Sequence, residues 1–299
     1  MIGEASSADD HSIPLLWINL DRSPQRRARM AWAIQQGGWQ AQRMAAVDGR
    51  DQRQRLLPWP NPLRAGTPLP GLRRLQEPEP WRRTSRAELA CLASWKRLLL
   101  RAAATPSASS WWLLMEDDLG ACLATPAGWA HSLTDLIESC PPHTLAIQLA
   151  PINGSARQEL HQRWLSSGGR CLAVPKEQVR SHGNGAVLLH QRAIPQLVGP
   201  LDRLCAQRTA LWHPLSHPWQ IRPVADKWLY GALPAGSCQV ATYPHFCLEA
   251  ADSDLHHQHV EAYHRPSRDL TLELWQRDGR HMLLAAQQQW DNIRHTQRS

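Results

Sequence analysis

Several things are scarce in this chain, and each scarcity excludes something. No apolar run approaches the ~18–20 residues that a membrane-spanning helix needs, so no span is expected. None of the seven cysteines (91, 122, 140, 171, 205, 238 and 247) stands in a CxxC pair. The odd count and wide spacing argue against a zinc ribbon and against a disulfide framework; most of these thiols read as reduced, buried small hydrophobes. No internal repeat is visible, which removes the solenoids. Lysine is nearly absent: three Lys accompany 30 Arg in a net charge of +7. Phenylalanine occurs once and tyrosine three times, against 15 tryptophans. The arginine bias has two readings, base composition of the genome and a basic surface for phosphates, an anionic membrane or nucleic acid. The Arg-rich stretch 50–86 lacks interleaved aromatics and any nucleic-acid module, so no nucleic-acid partner is expected. What remains is a soluble-type composition, 42% hydrophobic and 20% charged over 299 residues, long enough to bury a sizeable core. Glu4, Asp9 and Asp10 precede the short run Ile13 to Leu20. A secretory signal is basic first with a longer apolar core, so a cytoplasmic location is expected.

The pattern along the chain is one of short apolar runs alternating with helical spacing. Residues 14–19 read as a buried strand, followed by Ser23 as N-cap and Pro24 at the first helical position. That helix stops at Gly37-Gly38. A second strand is expected from Gln42 to Val47, ending at Asp48-Gly49. Residues 51–84 are rich in Pro and Arg and read as a long, less ordered loop inside one domain. Ser85 and Glu88 form a capping-box spacing that opens a helix through Leu99. Residues 111–115 read as a buried strand ending at Glu116-Asp117-Asp118. Further strands are expected at 145–149 and 183–189, with a helix near 193–197. The implied fold class is α/β with a mostly parallel central sheet. The expected organisation is a tail over 1–12, one domain over 13–255 and a helical extension over 256–299. Ligands in such sheets sit at the carboxyl ends of strands, where Asp21, Asp48 and the 116–118 cluster all fall.

The acidic cluster is the sharpest feature. Three carboxylates directly after a buried strand are costly unless something neutralises them. In an extended segment Glu116 and Asp118 share one side, which suits a hard divalent cation that also holds a diphosphate. A solvated acidic turn is the alternative.

Several pieces together resemble glycosyltransferase family 25. They are the opening WINLDRSPQRRARM, Ala46-Val47-Asp48-Gly49, Glu88 to Ser94, Leu114 to Asp118, Gly185 to Leu197, Val224-Ala225-Asp226, and Pro244 followed by Ser253-Asp254, all in the family's order. The resemblance implies a GT-A-like nucleotide-sugar fold and an inverting hexosyltransferase, with galactose from a UDP donor as the expected sugar. It implies a cell-envelope glycan or glycolipid acceptor, in the lipopolysaccharide class, met at the cytoplasmic face of the inner membrane. It also implies site residues. Asn19, Asp21, Arg22, Arg26, Asp48, Gly49, Ser94 and Asp117 would lie near the donor, and Glu116 and Asp118 would hold Mn2+ or Mg2+. An inverting transfer needs a general base on the acceptor side, and Asp226, just after an expected extended segment, is the candidate from its position, with Glu88 as rival.

Plainer roles compete with these. Arg22 and Arg26 fit a solvated helix start, Asp48 a turn, Glu88 a cap, and Asp117 a local backbone contact. The sequence departs from the family at Trp95, where His is usual, and at Ala90, Val187 and Ala225. A Trp can stack on a base or sugar but accepts no proton, so donor recognition differs or activity is weakened. His245 and His256, His257 and His259 are weaker metal-ligand candidates. Trp212, Trp219 and Trp228 are weaker candidates for a sugar platform.

Overall fold

The computed structural model describes residues 10–51, 53, 85–199, 224–249 and 260–296. The Pro/Arg-rich loop (apart from 51 and 53), the 1–9 segment, Cys205, Trp212, Trp219, Ser253-Asp254 and His256, His257 and His259 lie outside the described residues.

The chain opens with strand β1 (Leu15–Asn19), buried along its whole length, as a run of five apolar or amide residues with no alternation requires. Helix α1 (Pro24–Gln36) starts behind Ser23, as expected, but the Ser23 hydroxyl makes no capping hydrogen bond. Its carbonyl instead accepts from the Asn19 amide at 3.2 Å. Strand β2 (Ala41–Ala45) is shorter than expected. Helix α2 (Arg86–Ala104) carries the complete Ser85/Glu88 capping box. There follow β3 (Trp111–Glu116), α3 (Leu133–Glu138), β4 (Ala146–Gln148), α4 (Gly154–Ser166), β5 (Ala173–Pro175) and β6 (Ala186–His190). After β6 the chain is helical over 194–199. Helix α5 (Ala225–Gly231), β7 (Cys238–Ala241), α6 (Arg265–Arg277) and α7 (His281–Thr296) complete the described elements.

The strands form one seven-stranded sheet in the order β2-β1-β3-β6-β4-β7-β5. Strands β2, β1, β3, β4 and β7 point one way, whereas β6 and β5 run against their neighbours. The fold is therefore α/β with a mixed sheet. From β1 the chain crosses by α1 to β2 on one side and by α2 to β3 on the other. The order thus reverses beside β1, and the carboxyl ends of β1 and β3 flank the crevice that such a reversal opens.

Alternation along the strands sorts the core into two layers. Leu15, Trp17, Leu113, Met115, Ile147 and Leu188 pack with α1 on one face. Leu16, Ile18, Leu114, Val187 and Leu189 pack with α2 and α5 on the other. The C-terminal helices contribute Trp275, Leu283 and Trp290 to the first layer, so they complete the main core. Gly120 is what lets α7 come so close. A Cβ there would lie 2.1 Å from Met30 Sδ and 2.9 Å from Trp290. Gly120→Ala should therefore cost about 1–3 kcal/mol of stability through overpacking, read as a lower midpoint in urea unfolding.

Under the same layer, His131 and His245 stack edge to face at 4.5 Å, with Trp129 and Tyr243 around them. His245 lies here, fully buried and away from the strand-end cavity, which corrects its reading as a metal ligand. Burial pulls the imidazole of His245 down to about 4 and that of His131 to about 2. The unfolded chain binds protons near 6.5, so these groups contribute stability that is fully present above 6.5 and is lost as pH falls toward the folded values. The loss per histidine is up to about 1.4 kcal/mol per pH unit. The urea midpoint of His245→Phe should fall less than that of the parent between pH 6.5 and 4.5.

Candidate active site

The carboxyl ends of β1, β2, β3 and β4 and the amino end of the reversed β6 share one edge of the sheet. A cavity of about 880 Å³ opens along that edge, within the range of small-molecule sites. Asn19, Arg22, Arg26, Asp48, Gly49, Glu88, Ser94, Glu116, Asp117, Asp118 and Asp226 all line it.

Asn19 organises the floor. Its amide nitrogen donates to Asp117 Oδ2 at 2.5 Å, and its Oδ1 accepts from Arg43 Nε at 3.0 Å. Arg26 reaches Asp117 Oδ1 at 3.0 Å. Asp117, expected near the donor with a local backbone contact as the alternative, lines the cavity and ties β3 to β1 and α1 through side chains instead. Arg22 pairs with Asp48 at 2.8 Å on the rim, and the other Asp48 oxygen accepts from Arg50 N at 2.9 Å. Asp48 thus holds its turn and an arginine at once. Gly49 lets that turn press on the start of α2, since a Cβ would sit 3.0 Å from Ala87 Cα. Ser94 Oγ accepts from Val47 N and donates to Ala90 O, at 2.8 and 2.7 Å. It fastens the exit of β2 to α2.

Three expectations are corrected by position. Asp21 does not line the cavity; its carboxylate is 72% exposed and pairs with Arg43 on the surface. Trp95 does not line the cavity either, being 2% exposed. It cannot stack on a ligand and instead donates from Nε1 to Glu116 Oε1 at 2.8 Å. Trp228 is a core residue of the α2 layer, not a sugar platform. Glu88 carries out its capping role, accepting from Ser85 N at 2.8 Å.

The acidic pair differs internally. Glu116 Oε1 is occupied by Trp95 and, at 3.6 Å, by the Cys91 thiol. Burial raises its pKa, partly offset by the Trp95 hydrogen bond. Asp118 Oδ1 is buried with no hydrogen-bond partner. Burial first, and then the Glu116 charge, push the Asp118 carboxyl up to about 8. A carboxylate in that state is one that a cation would satisfy. No cluster of three or more His, Cys, Asp or Glu suited to a metal occurs among the described residues. An ion here would take Asp118 and Glu116 and fill its shell with phosphate oxygens and water, which is how Mg2+ is commonly held.

Asp226 sits at the first turn of α5 and lines the same cavity, near enough for its charge to help raise the Glu116 carboxyl. Its Oδ1 accepts from Lys227 N at 2.8 Å and its Oδ2 from Gly183 N at 3.3 Å. The segment carrying Gly183 is clamped from beneath. Gln148 Nε2 donates to the carbonyls of His182 and Gly183, and Asn153 Oδ1 accepts from His182 N at 3.1 Å. Arg86, Asn153, Ser155, Arg180, His182, Asn184, Lys227 and Tyr263 also line the cavity and were not foreseen. Of these only His182 and Asn184 carried a sequence signal, the Ser-His-Gly-Asn-Gly run at 181–185, whose glycines mark a close backbone approach. A Cβ on Gly183, at φ +92°, would meet Ile152 at 2.5 Å.

No family model matches the chain, nor does any curated protein or solved structure. No helix among the described residues is long and apolar enough to cross a membrane.

Proposed function

We propose that this cavity binds a nucleotide sugar and that the chain is a GT-A-like, family-25-type hexosyltransferase. The observation that carries the reading is convergence: residues as distant as Asn19, Asp48, Asp118 and Asp226 line one cavity at the strand ends. The β1 and β3 ends, the turn after β2 and the starts of α1 and α2 bring Asp48, Glu88, Glu116, Asp117 and Asp118 to the lining together with Arg22, Arg26, Arg50 and Arg86. Among the described residues that set has no cationic surplus to meet a diphosphate. A divalent cation on Asp118 and Glu116 would supply the missing charge and neutralise the departing diphosphate. Arg22 and Arg26 would face the nucleotide and its phosphates. Asp226 would take the proton of an acceptor hydroxyl as that oxygen bonds to the anomeric carbon and the bond to the diphosphate breaks. Galactose from UDP is the donor proposed, and a cell-envelope glycan or glycolipid at the inner-membrane face the acceptor.

A second reading is a silent relative that binds the donor without turnover. It is favoured by Trp95, which occupies a Glu116 oxygen. Thermal shifts with UDP-galactose, with and without Mn2+, test donor binding, since a ligand stabilises the state it binds. Release of free galactose without acceptor separates the two readings. A chain unshifted by any nucleotide sugar refutes both.

A further inference from the structure

Just before β6 the chain reads Gly183-Asn184-Gly185, and packing leaves no room for a larger residue on either side of Asn184. A Cβ on Gly183 would meet Ile152 at 2.5 Å, and one on Gly185 would meet Leu119 at 2.4 Å. Hydrogen bonds hold the same segment at both ends. Gly183 N donates to Asp226 Oδ2 at 3.3 Å, and Gly185 O accepts from Glu116 N at 2.7 Å. Gln148 Nε2 donates to Gly183 O at 2.5 Å from beneath. Asn184 therefore stands one residue from a contact with Asp226 and one residue from a contact with Glu116, on a backbone that has little freedom to shift. Its side chain lines the cavity, is only 9% exposed, and has a buried amide nitrogen with no hydrogen-bond partner. A second orphan, Asp118 Oδ1, belongs to the same lining. One orphan is a donor and the other an acceptor, yet they are not bonded to each other. Buried polar groups are normally paired, and a donor left alone is costly. A donor fixed this firmly at a cavity wall, and left unpaired, is suited to an atom that arrives with a ligand.

We propose that Asn184 is a sugar-recognising residue, whose amide nitrogen donates to a hydroxyl of the hexose carried by the nucleotide. The inference deepens the nucleotide-sugar reading of this cavity and rests on it. The chemistry favours a hydroxyl over a phosphate oxygen. A hydroxyl accepts from the amide and still has a proton to give to a neighbouring carboxylate, and the contacts with Asp226 and Glu116 lie one residue away on either side. A phosphate oxygen only accepts, so it would answer the amide and bring its own charge against those carboxylates. A site built to hydrogen-bond a hydroxyl also discriminates by it, because a ligand without that group leaves the buried donor unpaired.

The test is calorimetric titration of the full chain with UDP and with UDP-galactose, each at saturating Mn2+, in the parent and in Asn184→Ala and Asn184→Leu. The first variant removes the donor without crowding the site, and the second removes it while filling most of the volume. In both, UDP-galactose should bind about fivefold or more weaker than it binds the parent, whereas the affinity for UDP should change by less than about twofold. Retained UDP binding also shows that the variant is folded at the site. Unchanged affinity for UDP-galactose in both variants overturns the inference and leaves the donor reading standing. A loss that falls equally on UDP and UDP-galactose in both variants overturns it too, since Asn184 would then serve the diphosphate or the fold. A parent that binds neither ligand loses the inference and the donor reading together.

Discussion

Glu249→Ala should unfold the protein more readily than any substitution at the cavity rim. Glu249 and Arg29 form two parallel hydrogen bonds at 2.6 and 2.7 Å, with side chains only 2% and 3% exposed. Removing the carboxylate leaves a buried guanidinium uncompensated, which costs about 3–5 kcal/mol. In a domain of this size that lowers Tm by roughly 10 °C. The guanidinium also lies 5.1 Å from the Trp290 ring centre, so its displacement reaches α7. The double variant Arg29→Met/Glu249→Leu should regain much of the loss, because it removes both charges together and keeps the volume filled. Equal losses in the single and double variants would show that packing, not charge, sets the cost. Glu249 N also donates to Asp118 O at 2.8 Å. The single variant should therefore weaken any metal-dependent nucleotide shift in whatever fraction stays folded.

What was legible in the sequence was local. The strand Leu15–Asn19, the capping box at Ser85 and the strand Trp111–Glu116 each rest on residues within a few positions of one another. Apolar continuity and cap chemistry act over that range. The pairing of Asn19 with Asp117 spans 98 positions, and nothing local marks it. The sheet order has the same origin: β6 inserts between β3 and β4 and reverses there, a choice made by tertiary packing. Asp21 read like its neighbours Asn19 and Arg22. It leaves the cavity because Arg43, projecting from the adjacent strand β2, draws it to the surface. Trp95 was misjudged for a related reason. It sits on the buried side of α2, where an indole N–H needs an acceptor, and the nearest one is an oxygen of the acidic pair. The segment 181–185 stayed hidden because what holds it in place, Gln148, Asn153 and Lys176, lies outside it in sequence.

Asp118→Asn should remove the metal-dependent response to nucleotide while leaving the fold intact. Asn keeps the size and one carbonyl oxygen but lacks the charge that a hard cation requires. Asp118 is crowded by Glu116, Asp117 and Glu249, with Arg26 as the counteracting cation. With its carboxyl pushed up to about 8, Asp118 carries little charge at neutral pH without a cation, so the variant's ligand-free Tm should at least match that of the parent there and exceed it above about pH 8, where the substitution relieves repulsion. The parent should gain several degrees from UDP and Mn2+ together, and the variant none. Asp21→Asn is the control: its carboxylate is exposed and outside the cavity, so it should keep the full gain. If Asp118 were only a turn residue, Asn would serve nearly as well, since both favour turns. An Asp118→Asn protein that retains the whole metal-dependent shift would remove Asp118 from the metal role. The unpartnered Oδ1 would then need another explanation, and the Arg22 and Arg26 side would have to hold the diphosphate without a metal.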